Sequence, residues 1–249
     1  MQTDRVLVPD WPAPKAVKAL VTTRLGGVST GGFASLNLGM HVSDQYKSVV
    51  KNRQILANYT GLAESQIAWL DQVHGQTIIT AVAGGQVVPA DGSETSENNL
   101  ACVVMTADCL PVLFCDQAGT NVSAIHAGWR GLAGGILQKA VQRFPDPSQV
   151  MVWLGPAISR AHFEVGNDVY QAFVANNPQN HSAFTPSEAP NKWMADIYHL
   201  ARLQLNLAGI DKIYGGQYCT YADEKYFYSY RRDGLESGRM ASLIWLNAD

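Results

Sequence analysis

Three side chains of this sequence have the donor types of a soft metal site: His74 in WLDQVHG, Cys109 in TADCLPVLFCD and His126 in AIHAGWRG. Each is expected at the end of a strand beside small residues, where side chains converge and a ligand can approach. Two imidazoles and a thiolate suit a zinc ion with an open fourth position for water or substrate, and the same set also suits copper. Structural zinc usually takes four protein ligands, so three favour a catalytic ion over a staple. No local pattern such as C-x-x-C fixes the geometry, and the spacing alone also fits three core residues satisfied separately.

After His126, glycines 128, 131, 134 and 135 surround Arg130 at an expected helix start. Free backbone N–H groups and the helix dipole there favour an anion, while the same glycines equally permit close packing of helix on sheet. Arg24, in TTRLGGVSTGGFASLNLG, reads either as a bidentate anion clamp or as a solvated charge. Cys102, Cys115 and Cys219 read as core thiols, and His41, His162, His181 and His199 have no local partner pattern.

The elements that must position these groups follow from periodicity. Strands are expected at Val17–Thr22, Ile67–Leu70, Thr77–Val82, Leu100–Met105, Leu110–Cys115, Asn121–Ile125, Val150–Leu154, Tyr226–Tyr230 and Met240–Leu246. Helices are expected at Ser48–Tyr59, Gly131–Phe144, Val165–Asn176 and Lys192–Leu207. The Gly- and Ser-rich stretch after Val17–Thr22 is a long loop, and such loops are uncommon unless functional. The polar run ADGSETSENN reads as a surface loop. Strands cluster centrally with helices on either side, which predicts a mixed α/β (α+β) fold rather than a strict βαβ repeat. No repeat or linker divides residues 1–249, so a single domain is expected.

Eighteen Lys and Arg against 21 Asp and Glu, with no basic block longer than Arg231-Arg232, argue against nucleic acid as a partner. The N-terminal stretch lacks the apolar run of a signal peptide, and no segment approaches the roughly 18 apolar residues of a membrane span. A cytoplasmic protein with a small-molecule or peptide partner is expected. Four cysteines are too few for a disulfide framework.

Taken together and in order, TTRLGGVS, SLNLGMHVSD, WLDQVHG, MTADCLPVLFCD, IHAGWRG, WLGPAIS, YSYRRDG and SGRMASLIWL resemble the laccase-domain family, which includes the peptidoglycan editing factor and the multifunctional purine nucleoside enzymes. The resemblance runs from about Pro9 to Leu246. It implies one domain of stacked mixed β-sheets covered by helices, and metal binding by His74, Cys109 and His126. It further implies phosphorolysis of adenosine, inosine, guanosine and methylthioadenosine, with adenosine deamination as a side activity. Where the family pattern has D-A-x-V-T, this chain has Asp91, Gly92, Ser93, Glu94 and Thr95, keeping the acid but not the apolar residues.

On that reading phosphate attacks the anomeric carbon while charge develops on the ribose, and the metal assists at the base. Arg24 is the first choice for phosphate and Arg130 the second, with Asn37 and Gln72 hydrogen-bonding the nucleoside. The alternative makes Cys109 a thiolate nucleophile, with His126 or His74 as base, acting on an amide of a cell-wall precursor peptide. A multicopper oxidase is disfavoured, since six histidines without a His-x-His pair are too few for its several imidazole-rich copper centres.

Overall fold

The computed structural model describes residues 4–248; the first three residues of the N-terminal stretch and Asp249 lie outside it. In chain order the elements are β1 (Val6–Leu7), β2 (Val17–Thr22), α1 (Tyr46–Thr60), β3 (Ile67–Ala68), β4 (Ile78–Thr80), β5 (Gly92–Thr95), β6 (Ala101–Thr106), β7 (Leu110–Asp116) and β8 (Val122–Ala127). Then follow α2 (Trp129–Ala133), α3 (Ile136–Val141), β9 (Val150–Leu154), β10 (Glu164–Gly166), α4 (Asn167–Val174), β11 (Phe184–Pro186), β12 (Lys192–Ala195), α5 (Ile197–Leu207), β13 (Ile213–Gly215), α6 (Tyr230–Asp233) and β14 (Met240–Leu246).

The residues of β6, β7, β8 and β14 are mostly apolar on both faces, as expected of strands covered on both sides. In β7, Val112 and Phe114 point into a core shared with α2 through α5, while Leu113 and Cys115 face a core shared with the opposing sheet. A five-stranded sheet, ordered β1-β2-β14-β6-β3, thus stacks on a six-stranded sheet, ordered β13-β9-β7-β8-β5-β4. Leu56 and Ala57 of α1 cover the outer face of the first sheet against Val103 and Leu243. The result is helix, sheet, sheet, helices, the expected mixed α/β stack; β10, β12 and β11 form a small third sheet.

Four expectations are corrected. The run read as a loop after Ala90 contains β5, because pairing with β8 (Gly92 opposite Ile125 through Thr95 opposite Val122) overrides the weak strand propensity of Gly-Ser-Glu-Thr. Gly92 packs closely there, since a Cβ would lie 2.4 Å from Ile125 Cδ1 and displace the end of that side chain. The helix expected from Lys192 begins only at Ile197: Lys192–Ala195 pairs as β12, and Asp196 caps the helix by accepting the His199 N–H. The Gly131–Phe144 helix is split into α2 and α3 at Gly135, whose φ is 89°. Tyr226–Tyr230 is not a strand; Phe227 and Tyr228 are buried anchors, and Ser229 caps α6.

Candidate metal centre and cavity

The register of β7 on β8 sets Leu110 opposite Ala127 and Pro111 opposite His126, and that of β5 on β8 sets Gly92 opposite Ile125. Cys109, His126 and Asp91 therefore emerge at the same end of three adjacent strands. His126 is buried, Cys109 half-buried and His74 exposed, and their ligand atoms all lie within 4.8 Å of one another. Cys109 Sγ is 4.0 Å from His74 Nε2. The His74 and His126 rings meet edge-to-face at 4.8 Å.

Asp91 organises this group. Its carboxylate, fully buried, accepts from His126 Nδ1 at 2.7 Å, from the His74 backbone N–H at 2.9 Å and from the Gly75 N–H at 2.6 Å. Its carbonyl takes the His126 backbone N–H at 2.7 Å. Engaging Nδ1 fixes the tautomer and turns His126 Nε2 toward Cys109, the orienting role that a carboxylate plays behind a metal-binding histidine. His74 sits at φ 58° and Asp108 at φ 89°, left-handed conformations that cost a non-glycine residue energy and mark a site held by its surroundings.

The donor set fits a soft divalent cation. Burial alone would raise the Cys109 thiol pKa, but the His126 and His74 imidazoles outweigh it and pull it below the ordinary thiol value, toward the thiolate that metals bind. Burial likewise works against charge on His126, and the Cys109 thiolate and Asp91 carboxylate overcome it, raising its pKa. A Cβ on Gly128 would lie 3.0 Å from His74 Cδ2, 3.3 Å from Cys109 Sγ and 3.4 Å from His126 Cε1, so the glycine leaves the space that the three side chains need. Among the described residues this is the one group of three or more such donors close enough to share an ion.

The triad walls a cavity of about 440 Å³, within the size range of small-molecule sites. Met105, Ile158 and Phe163 give it apolar surface, and His41, Arg231 and Arg239 line it as well. Gln72 lines it too, although its amide is spent on the main chain of Met105, donating to the carbonyl at 2.8 Å and accepting from the N–H at 2.7 Å.

Arg24, Asn37 and Arg130 are not among the lining residues. Arg24 donates to the Ala34 carbonyl at 2.9 Å and lies 4.8 Å over the Tyr228 ring. Arg130 is exposed and stacks on Trp129. Gly131 serves close packing, since a Cβ there would lie 2.6 Å from the Gly75 carbonyl. Asn37 is fully buried and acts at one remove, accepting the Arg239 N–H at 2.9 Å. The residues that sequence reasoning left without a role are Asp91, His41, Arg231 and Arg239. The acid at 91 stood out as a retained family position, and Arg231 and Arg239 lie inside YSYRRDG and SGRMASLIWL, but no spacing links them.

A family model described as multi-copper polyphenol oxidoreductase laccase matches residues 18–247. The chain belongs to this laccase-domain family. A relative from Pseudomonas aeruginosa, named a purine nucleoside phosphorylase, is 52% identical over 241 residues, covering 96% of this chain and 98% of the relative. The Escherichia coli K12 relative YfiH, also named a purine nucleoside phosphorylase, is 46% identical over 244 residues, 97% of this chain and 99% of its own. The crystal structure of Neisseria meningitidis protein NMB0706, at 50% identity, superposes with a TM-score of 0.94 and covers 98% of this chain and 100% of that one. In this laccase-domain protein no helix among the described residues is long and apolar enough to cross a membrane.

Proposed function

We propose that this laccase-domain protein is a metal-dependent purine nucleoside phosphorylase and that the cavity beside His74, Cys109 and His126 is its active site. The observation that carries the reading is the convergence of two imidazoles and a thiol on the wall of a nucleoside-sized cavity, in a chain whose relatives bear that name. His74, Cys109 and His126 would hold zinc, with copper as the alternative ion, and the ion supplies Lewis acidity next to the substrate. Met105, Ile158 and Phe163 face the purine and exclude water, while Asp91 keeps His126 aimed at the site. The C1′–N9 bond breaks, a bond from C1′ to a phosphate oxygen forms, and the purine leaves with a proton. Adenosine, inosine, guanosine and methylthioadenosine are the expected substrates, with adenosine deamination as a side reaction in the same cavity. A thiolate ligand fits a reducing cytoplasm.

Incubation of the purified protein with inosine, with and without phosphate, tests this. Hypoxanthine and ribose 1-phosphate should appear only with phosphate, and free ribose formed at an equal rate without it would overturn the reaction type.

A second reading has its own support: Asp91, His126 and Cys109 form the acid–base–nucleophile chain of a thiol hydrolase. The substrate would then be an amide of a cell-wall precursor peptide, which would connect the protein to peptidoglycan editing. Chelation and Cys109 alkylation, applied separately, discriminate: a hydrolase is lost to alkylation and survives chelation.

A further inference from the structure

The remaining cationic groups of the cavity lie in a separate constellation. The Arg239 main chain is fixed by Asn37, and one of its guanidinium nitrogens, NH1, donates to the Ser237 and Gly238 carbonyls at 2.7 and 2.9 Å. Arg231 is fixed by its backbone N–H, which donates to Asp108 Oδ2 at 2.6 Å, and NH1 donates to the His162 carbonyl at 3.1 Å. Neither guanidinium pairs with a carboxylate among the described residues. Among the described residues Asp108 is the only carboxylate lining the cavity, and its other oxygen is occupied by the Thr220 hydroxyl at 2.6 Å. A Cβ on Gly39 would lie 2.8 Å from Arg239 Cγ and 3.4 Å from His41 Cε1, so the loop admits only glycine where it brings His41 alongside Arg239. The remaining guanidinium N–H groups of both arginines have no hydrogen-bond partner among the described residues, and no carboxylate of the cavity lining is free to take them, which is the complement of a multiply charged oxyanion.

We infer that Arg239, with Arg231 and His41, forms a phosphate subsite in the cavity, which takes inorganic phosphate or the phosphate of a phosphate ester. The guanidinium forks bind the oxygens, and Asn37 and Gly39 position the fork of Arg239. As the seat of the attacking phosphate, the subsite rests on the phosphorolysis reading; as an oxyanion site it stands on the side chains alone.

The test uses the full chain with inorganic phosphate as the probe, in calorimetric titrations and in inosine phosphorolysis with phosphate varied. Loss of charge-assisted hydrogen bonds in Arg239→Gln should weaken calorimetric phosphate affinity and raise the phosphate KM by about 10- to 100-fold. The inosine KM should move by less than about 3-fold. Arg239→Lys should recover only part of the loss, because it restores the charge without the fork. Should Arg239→Gln fail to fold, Arg231→Gln carries the test, with a loss of about 10-fold. Unaltered phosphate affinity in the folded variants, or equal rises in both KM values, overturns the subsite even if phosphorolysis is confirmed. Arg239-dependent phosphate binding without phosphorolysis keeps the subsite and overturns the reaction. Inosine 5′-monophosphate separates the two sources: Arg239-dependent binding of the ester with none of free phosphate makes an ester the occupant.

Discussion

On one wall of the cavity, beside Cys109, a single buried carboxylate locks the His126 imidazole and the backbone N–H groups of His74 and Gly75. On the other wall, Arg231 and Arg239 are anchored through their main chains and one guanidinium nitrogen each, leaving the rest of each fork unspent. The first arrangement pre-aims donors at a fixed point, as metal binding demands. The second fixes where a cation sits while keeping its donors available, as binding of a diffusible anion demands. The difference teaches that rigidity at a site can be placed in the side chain or in the backbone, according to what must stay free.

In stability terms, the largest effect should come from Asp91→Ala. Three donors lose their acceptor in a buried setting, at a cost of about 3–5 kcal/mol, and metal stoichiometry should fall with it. Urea unfolding together with elemental analysis measures both; an unshifted midpoint with metal retained would dissolve the contrast between the walls. Next is Arg24→Ala, which removes the bond to the Ala34 carbonyl and the stacking on Tyr228. A loss of about 1–3 kcal/mol is expected in thermal unfolding. Its phosphate KM should shift less than that of Arg239→Gln, and a larger shift would restore Arg24 as the phosphate ligand.

Acid should act through the metal wall. Burial raises the Asp91 pKa, but its hydrogen bonds to His126, Gly75 and His74 prevail and hold it below the ordinary 3.8. A carboxyl more acidic folded than unfolded contributes stability that is complete above its unfolded pKa and is lost as pH falls through the folded one. Urea midpoints should therefore drop below about pH 4 in the wild type more steeply than in Asp91→Asn; parallel curves would remove Asp91 as the cause. The smallest stability change is expected for Cys109→Ser, within about 1 kcal/mol, because the large core does not depend on the ion. Metal content should nonetheless collapse, and unfolding of this variant would recast the ion as structural.

Much of this organisation was legible in the sequence. The near-continuous apolar runs of β6, β7, β8 and β14 identify strands buried on both faces, because burial on two sides leaves few polar positions. Helix α1 declares its end at Gly61, whose left-handed φ of 74° suits glycine. The donor types at 74, 109 and 126 announce soft-metal chemistry wherever they converge. Tertiary structure alone decided that they do converge, since this follows from the registers of β7 and β5 on β8 and not from their spacing. It also made a strand of Gly92–Thr95, because a partner edge outweighs local propensity. Finally, it brought residue 37 to residue 239 and residue 108 to residue 231, contacts that no local period encodes, and so gave roles to Asn37, Asp108 and the two arginines. Local pattern reports burial and turn chemistry within a few residues; a site drawn from distant segments exists only once the sheets have set their register.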